Sequence, residues 1–347
     1  MPLSIAIMRT AARARNAGLR LRAMSETVDR RYAQLAAWFA ARLGEGLRWE
    51  TVSTDASRRR YFRARRGGAS WIAVDAPPEY ENVEAFVAVA RLLRGAGLHA
   101  PRVLDHDARR GFMCLSDLGD RSYLAALDDD NADALFGAAI GALLDWQSAS
   151  RPGVLPAYDR ATFAREMALF KQWYVAIELG HSLSARESAR IDGAFDFILD
   201  RLAAQPPVYV HRDYMPRNLM ICDPLPGIID FQDARYGPAA YDVASLFRDA
   251  FISWPATRID GWVRHYWDGA LGRGLPVAGD WATFCDDIAL TGAQRHLKIL
   301  GLFVRIARRD GKPRYAGDLE RFRGYLRPVV AGFDELAPLA PFIGSSE

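Results

Sequence analysis

Residues 211–233 read HRDYMPRNLMICDPLPGIIDFQD and place His211, Asp213, Asn218, Asp230 and Asp233 among short apolar runs. Those runs, Val208-Tyr209-Val210, Leu219-Met220-Ile221 and Ile228-Ile229, have the makeup of buried strands. A carboxylate at the end of a buried strand is costly unless it caps a backbone, meets a cation or holds a metal. One such Asp is commonly a cap or turn residue. An ordered set of them demands a fold in which strand ends converge on a polar site.

The spacing H-x-D-x-x-x-x-N, followed twelve residues later by D-F at a strand end, is the arrangement that phosphoryl transfer from ATP requires. That reaction needs an acceptor oxygen in line and neutralised phosphate charge, and little covalent work from the protein. Asp213 is the candidate catalytic residue, taking the proton of the attacking hydroxyl. Asn218 and Asp230 offer hard oxygen ligands to Mg2+ accompanying ATP, with Mn2+ as a substitute. Pro216 turns the loop, and His211 supports it by hydrogen bonding.

The 347 residues suffice for one large domain or two lobes. No apolar run reaches the 18 or more residues of a membrane helix. The three cysteines, Cys114, Cys222 and Cys285, form no CxxC pair. That argues against a disulfide framework or zinc site and fits a cytoplasmic protein. A formal charge of +3 permits an anionic substrate without demanding nucleic acid or a membrane.

Residues 1–24 read as an extension or a mis-assigned start. The first 23 hold five arginines and no acid, the makeup of a transit-type peptide, and Met24 is an alternative initiator. Residues 25–118 read as a nucleotide-binding N-lobe: a helix near 27–43, strands near 48–53, 59–65, 71–75, 103–104 and 111–115, and a helix over 83–96. Residues 119–347 read as a larger, mainly helical C-lobe that also carries the strands of the opening motif. Leu297, Leu300, Val304 and Ala307 give its clearest helical stripe. The fold class is therefore α+β with two lobes.

The motif, with "YDVASL" at 241–246 following it, resembles the aminoglycoside phosphotransferase-like branch of the protein-kinase-like fold. Further segments, "DASRRRYFR" at 55–63, "DAPP" at 75–78, "LSDLGD" at 115–120 and "QRHLKILGLFVRIARRDGKPRY" at 294–315, resemble the bacterial amino sugar kinases of peptidoglycan recycling. This resemblance implies a bilobal fold and transfer of phosphate from Mg-ATP to the anomeric hydroxyl of N-acetylmuramate or N-acetylglucosamine. It also makes Asp242 a brace for the catalytic loop. No obligatory protein partner is implied. Another alcohol acceptor, such as an aminoglycoside, choline or homoserine, is the alternative within enzymes.

The chain departs from the kinase template on the nucleotide side. The template's β3 lysine has no counterpart, and Asp75 falls near its place. Six arginines in "RRRYFRARR", 58–66, offer replacements. Arg60 and Arg63 are favoured, since a guanidinium fork matches phosphate oxygens. Ser57 lies in the preceding turn, where backbone N–H groups could approach the phosphates. Glu84 stands where the template places the lysine's partner, and is equally readable as a solvated helix residue. Ser116 to Leu118 form the expected adenine hinge. Asp233, Arg235 and Arg295 are the candidates for the sugar. Arg248, His296, Lys298 and Arg305 add cationic or polar character near Trp146, Trp173, Trp254 and Phe247, which suits a neutral or acidic sugar over a polycation. A nucleic-acid binder built on the arginine run leaves the acids at 213, 230 and 233 unexplained. A pseudokinase is disfavoured by the presence of both Asn218 and Asp230.

Overall fold

The computed structural model describes residues 30–53, 58–248 and 250–344. The expected extension at 1–24 and Ser57 lie outside them. The chain divides into two compact units: one from the residues up to Val87 with Arg102–Asp117, the other from Ala88–Pro101 with Leu118 onward.

In the smaller unit, residues 30–43 are helical (α1). Five strands follow: β1 (Arg48–Ser53), β2 (Arg60–Arg66), β3 (Ala69–Asp75), β4 (Val103–Asp107) and β5 (Phe112–Ser116), in spatial order β1-β2-β3-β5-β4 and antiparallel throughout. Gly67 and Gly68 both have positive φ, the geometry a two-residue hairpin turn needs to follow strand twist. Register explains the core. Phe62 pairs with Ala73, and Ala73 with Cys114, so one cross-sheet row faces Leu35, Trp38 and Phe39 of α1. The next row, Arg63–Ile72–Leu115, points to the opposite face. Helix α2 (Val83–Gly95) begins in this unit.

Residues 88–101, inside the expected N-lobe, group with the larger unit. His99 accounts for part of this: its carbonyl accepts from Ile228 N–H at 2.8 Å, and its Nδ1 lies 2.8 Å from the Pro224 carbonyl.

The larger unit contains α3 (Tyr123–Ala126), α4 (Ala132–Ser148), α5 (Arg160–Leu169), α6 (Ala185–Ala204), α7 (Ala240–Phe247), α8 (Ala256–Gly272), α9 (Trp281–Arg309), α10 (Leu319–Gly332) and α11 (Ala340–Ile343). Ser184 and Glu187 close a capping box at the start of α6. Leu290, Ala293, Leu297, Leu300 and Val304 of α9 are fully buried at alternating spacings of three and four, making this helix the spine of the core. Helix α5 changes character at Phe170 and runs on as a π-helix to Glu178. There the α9 backbone comes very close. A Cβ on Gly301 would stand 2.1 Å from the Leu169 carbonyl oxygen. Among the described residues, no helix is long and apolar enough to cross a membrane.

Candidate active site

Two short ladders in the larger unit hold the motif. Strand β6 (Pro207–Val210) pairs antiparallel with β9 (Arg235–Pro238), and β7 (Leu219–Met220) with β8 (Gly227–Ile228). Residues 211–218 loop from the end of β6 to the start of β7, and Asp230 follows β8. Because Leu219 pairs with Ile228, the ladder brings Asn218 beside Ile229, whose N–H donates to the Asn218 carbonyl at 3.1 Å. Asn218 and Asp230 therefore come from adjacent strand ends.

Asp242 is fully buried in the first turn of α7. Its carboxylate accepts from the backbone N–H of His211 at 2.6 Å and of Arg212 at 2.9 Å. Burial pushes its pKa up to about 7, against the downward pull of those two N–H groups. His211, also buried, sits with Nε2 3.1 Å from the Ile229 carbonyl and accepts at Nδ1 from Asp213 N–H at 3.3 Å. This pattern fits the neutral Nε2–H tautomer. Burial lowers its pKa to about 4, so it stays neutral near pH 7.

Arg212 and Asp230 are the non-glycine residues with positive φ among those described, at 77° and 62°. Such conformations cost about 1–3 kcal/mol and persist where surroundings over-determine them. Arg212 is held at three points. Asp242 takes its N–H, Arg295 Nη1 donates to its carbonyl at 2.6 Å, and its Nη2 donates to Glu166 at 2.5 Å.

The consequence is a fixed Asp213. Asn218 Nδ2 donates to its carbonyl oxygen at 2.9 Å, and Arg295 Nη2 lies 3.5 Å from its Oδ1. The side chain keeps 39% of its exposure, so the carboxylate remains reachable. Burial acts to raise its pKa, but Arg295, Lys298 and Arg212 together outweigh it and hold the carboxyl below the ordinary range. Asp213 is ionised at neutral pH.

Asn218 spends its amide nitrogen on Asp213, which leaves the amide oxygen as the end that can ligate a cation. Asp230 adds a carboxylate, one oxygen of which accepts from Gln232 Nε2 at 3.0 Å. Among the described residues, no three His, Cys, Asp or Glu side chains gather into a metal cage. The donor set fits a hard divalent ion that takes one or two protein oxygens and completes its shell with phosphates and water.

The matches to known proteins agree with this geometry. Residues 48–281 match the model of the phosphotransferase enzyme family. The chain belongs to this phosphotransferase family. It is 46% identical to the N-acetylmuramate/N-acetylglucosamine kinase of Pseudomonas aeruginosa, covering 91% of this chain and 97% of that one. It is 45% identical to the protein of the same name from Pseudomonas putida, covering 91% and 96%. Among solved structures, a choline kinase from Streptococcus pneumoniae superposes with a TM-score of 0.61 at 14% identity, covering 87% of this chain and 99% of that one. The fold is thus the α+β, protein-kinase-like one. Family membership carries with it phosphoryl transfer from ATP, typically with a divalent metal.

Around the 211–218 loop, the sugar candidates separate. Arg295 touches Asp213 and the loop backbone. Asp233 is exposed beside Asp230, and Gln232 Nε2 reaches it at 3.3 Å. Arg235 lies in β9 opposite Val210.

On the nucleotide side, Arg63 is nearly buried and forks onto Asp117, with Nε 2.7 Å from one carboxylate oxygen and Nη2 3.0 Å from the other. Arg60 forks onto Asp75, which Arg31 grips from α1. The acids of "DAPP" and "LSDLGD" thus answer the arginines of "RRRYFR". Ser116 pairs by both its N–H and its hydroxyl with the backbone of Arg102, so its N–H is already used. Leu118 belongs to the larger unit and packs against Gly227. Glu84 is exposed and lies 3.4 Å from His106.

Glu166 did not stand out in the sequence. It receives Arg212 at 2.5 Å, Lys298 at 3.2 Å, the Tyr158 hydroxyl at 2.6 Å and Gln294 at 3.3 Å. Burial opposes its charge, yet Lys298 and Arg212 keep its pKa below the usual range. A signal was present: Glu166 interrupts an apolar helical stripe formed by Phe163, Met167 and Phe170.

Proposed function

We propose that the chain is an ATP-dependent amino sugar kinase that phosphorylates the anomeric C1 hydroxyl of N-acetylmuramate, N-acetylglucosamine or both. The observation that carries the substrate class is near-full-length identity of 45–46% to two kinases named for those sugars. Asp213 accepts the proton of the C1 hydroxyl as its oxygen attacks the γ-phosphorus and the bond to ADP breaks. The ring oxygen makes that hydroxyl more acidic than the others on the sugar, so a carboxylate is an adequate base. Asn218 and Asp230 are the residues that would hold Mg2+, which when bound would neutralise phosphate charge. His211 and Asp242 keep the loop in register. Arg295, Asp233 and Arg235 face the acceptor. Ser57, Arg60 and Arg63 serve the nucleotide phosphates, with Arg60 and Arg63 sharing their forks with Asp75 and Asp117, and Ser116 to Leu118 serve adenine.

The test is incubation with Mg-ATP and a panel of amino sugars, choline and aminoglycosides, followed by phosphorus NMR. The expected product is an acid-labile phosphate coupled to an anomeric proton. An acid-stable ester on choline or an aminoglycoside alone overturns the reading.

A further inference from the structure

Arg295 lies in α9 between Ala293 and Leu297, both fully buried, and its own side chain keeps 6% of its exposure. It meets the 211–218 loop at two points. Nη1 donates to the Arg212 carbonyl at 2.6 Å, and Nη2 lies 3.5 Å from Asp213 Oδ1. Nη1 also lies 3.4 Å from the Tyr241 hydroxyl, and the guanidinium carbon is 5.6 Å from the centre of the Tyr241 ring. One planar group, steadied by Tyr241, thus holds both the peptide that leads into Asp213 and one edge of its carboxylate.

The contact differs from that of Arg63, which forks onto both carboxylate oxygens of Asp117 at 2.7 and 3.0 Å. Such a fork fills a carboxylate's acceptor positions and withholds it from chemistry. Arg295 spends its short bond on a backbone carbonyl instead. Its closest approach to Asp213 is at Oδ1, beyond the usual length of a charge-assisted hydrogen bond. Among the described residues, no hydrogen bond reaches Asp213 Oδ2, and the side chain keeps 39% of its exposure.

The neighbouring cations are drawn elsewhere. Lys298, one turn along α9, and Arg212 both pair with Glu166, at 3.2 and 2.5 Å. The ion pair to Asp213 comes from Arg295.

We propose that Arg295 is a positioning residue: it holds the Arg212 carbonyl and Asp213 Oδ1 in one frame, and so presents Oδ2 as the atom that takes the acceptor's proton. This rests on the sugar-kinase reading above and deepens it. Arg295 serves the acceptor through Asp213, because its own side chain is almost wholly buried. In the step, the C1 oxygen bonds to the γ-phosphorus, the bond from phosphorus to the ADP oxygen breaks, and the hydroxyl proton passes to Oδ2. A core helix is a suitable anchor, since misplacing a reacting group by about 1 Å costs about 100-fold in rate.

The test measures kcat and KM for N-acetylmuramate and N-acetylglucosamine in the wild type, Arg295→Gln, Arg295→Lys and Asp213→Asn, and in each Arg295 variant combined with Asp213→Asn. In Arg295→Gln, kcat falls about 10- to 100-fold, by the same factor for both sugars, while each KM is little changed. Arg295→Lys returns the charge but cannot span carbonyl and carboxylate, so its kcat lies between that of Arg295→Gln and the wild type. It also carries the test if Arg295→Gln does not fold. In the Asp213→Asn background either change costs little more, because the atom that Arg295 orients is gone. Unchanged kcat in a folded Arg295 variant, or losses that multiply in the combined variants, overturns the inference and leaves the kinase reading standing. So does a rise in KM confined to N-acetylmuramate, which would make Arg295 a direct ligand of that sugar's carboxylate. A wild type that phosphorylates neither sugar overturns both.

Discussion

Asn218 Nδ2 donates to the Asp213 carbonyl at 2.9 Å, so one side chain ties the proposed metal ligand to the proposed base. Asn218→Asp keeps a hard oxygen but replaces the donor with a second acceptor facing that carbonyl. The loop then loses its tie, and the affinity for Mg2+ changes along with turnover. The expected result is a rise of about 10- to 100-fold in the Mg2+ concentration needed for half-maximal activity, the usual scale for disturbing a ligand's support. A magnesium titration at saturating ATP measures it. An unchanged midpoint argues against Asn218 as a ligand.

Asp213→Asn tests the base itself. Its carboxylate is exposed enough to meet substrate, and Arg295 keeps its bond to the Arg212 carbonyl when the charge is lost. The fold should therefore survive while kcat falls by about 10²–10⁴, the range for removing a general base. Steady-state kinetics and a thermal melt together decide it; wild-type turnover in a folded variant excludes the assignment.

The motif was readable because short continuous apolar runs bracket its polar residues, and the pairing of Leu219 with Ile228 then brings Asn218 and Asp230 to adjacent strand ends. Arg63 was read as a phosphate fork from its guanidinium; that this fork also meets Asp117, 54 positions away, was not legible. Strand phase shows which face an arginine takes, not which acid waits there. Glu166 was missed for a similar reason: its four partners come from Tyr158, the 211–218 loop and α9, and only the packing of α5 on α9 assembles them. The change from α- to π-helix at Phe170 has its close contact in a distant glycine, Gly301.

Gly301→Ala provides a stability test of that packing. The added Cβ meets the Leu169 carbonyl oxygen at 2.1 Å and Phe170 N at 2.7 Å, which are backbone atoms with no rotamer to relieve them. Overpacking of this kind costs about 1–3 kcal/mol, and the upper end is expected because both helices are core elements. Urea denaturation measures it. A variant as stable as the parent means that α5 and α9 do not approach as described.

Glu166→Gln preserves shape and removes charge. Arg212 and Lys298, each with 15% side-chain exposure, then lose their shared carboxylate in a poorly hydrated place. Breaking a buried pair from one side costs about 3–5 kcal/mol, and the lower end applies because Arg212 keeps its backbone restraints. Catalysis should fall as well, since the side chain of Arg212 helps hold the strained loop. Denaturation with a midpoint shift equivalent to less than about 1 kcal/mol, typical of an exposed ion pair, would show that the cluster is solvated.

The loop's pH response is set by two buried groups whose shifts run oppositely. His211, which also faces Asp213, Asp233 and Arg295, has its pKa lowered from 6.5 to about 4. The unfolded chain binds the extra proton between those values, so its contribution to stability is lost as pH falls from 6.5 to 4. Asp242, which faces Arg295 and Asp213, has its pKa raised from 3.8 to about 7. The folded chain binds the extra proton there, so its contribution is present below 3.8 and lost as pH rises toward 7. Each contributes on the order of 3 kcal/mol across its window, and between pH 4 and 6.5 they offset one another. His211→Gln leaves Asp242 unopposed, and its stability relative to wild type should decline as pH rises through this window. Asp242→Asn leaves His211 unopposed, and its relative stability should decline as pH falls. Chemical denaturation of the three proteins at half-unit pH steps reads both slopes. Parallel curves would mean that neither group is desolvated as the loop geometry requires.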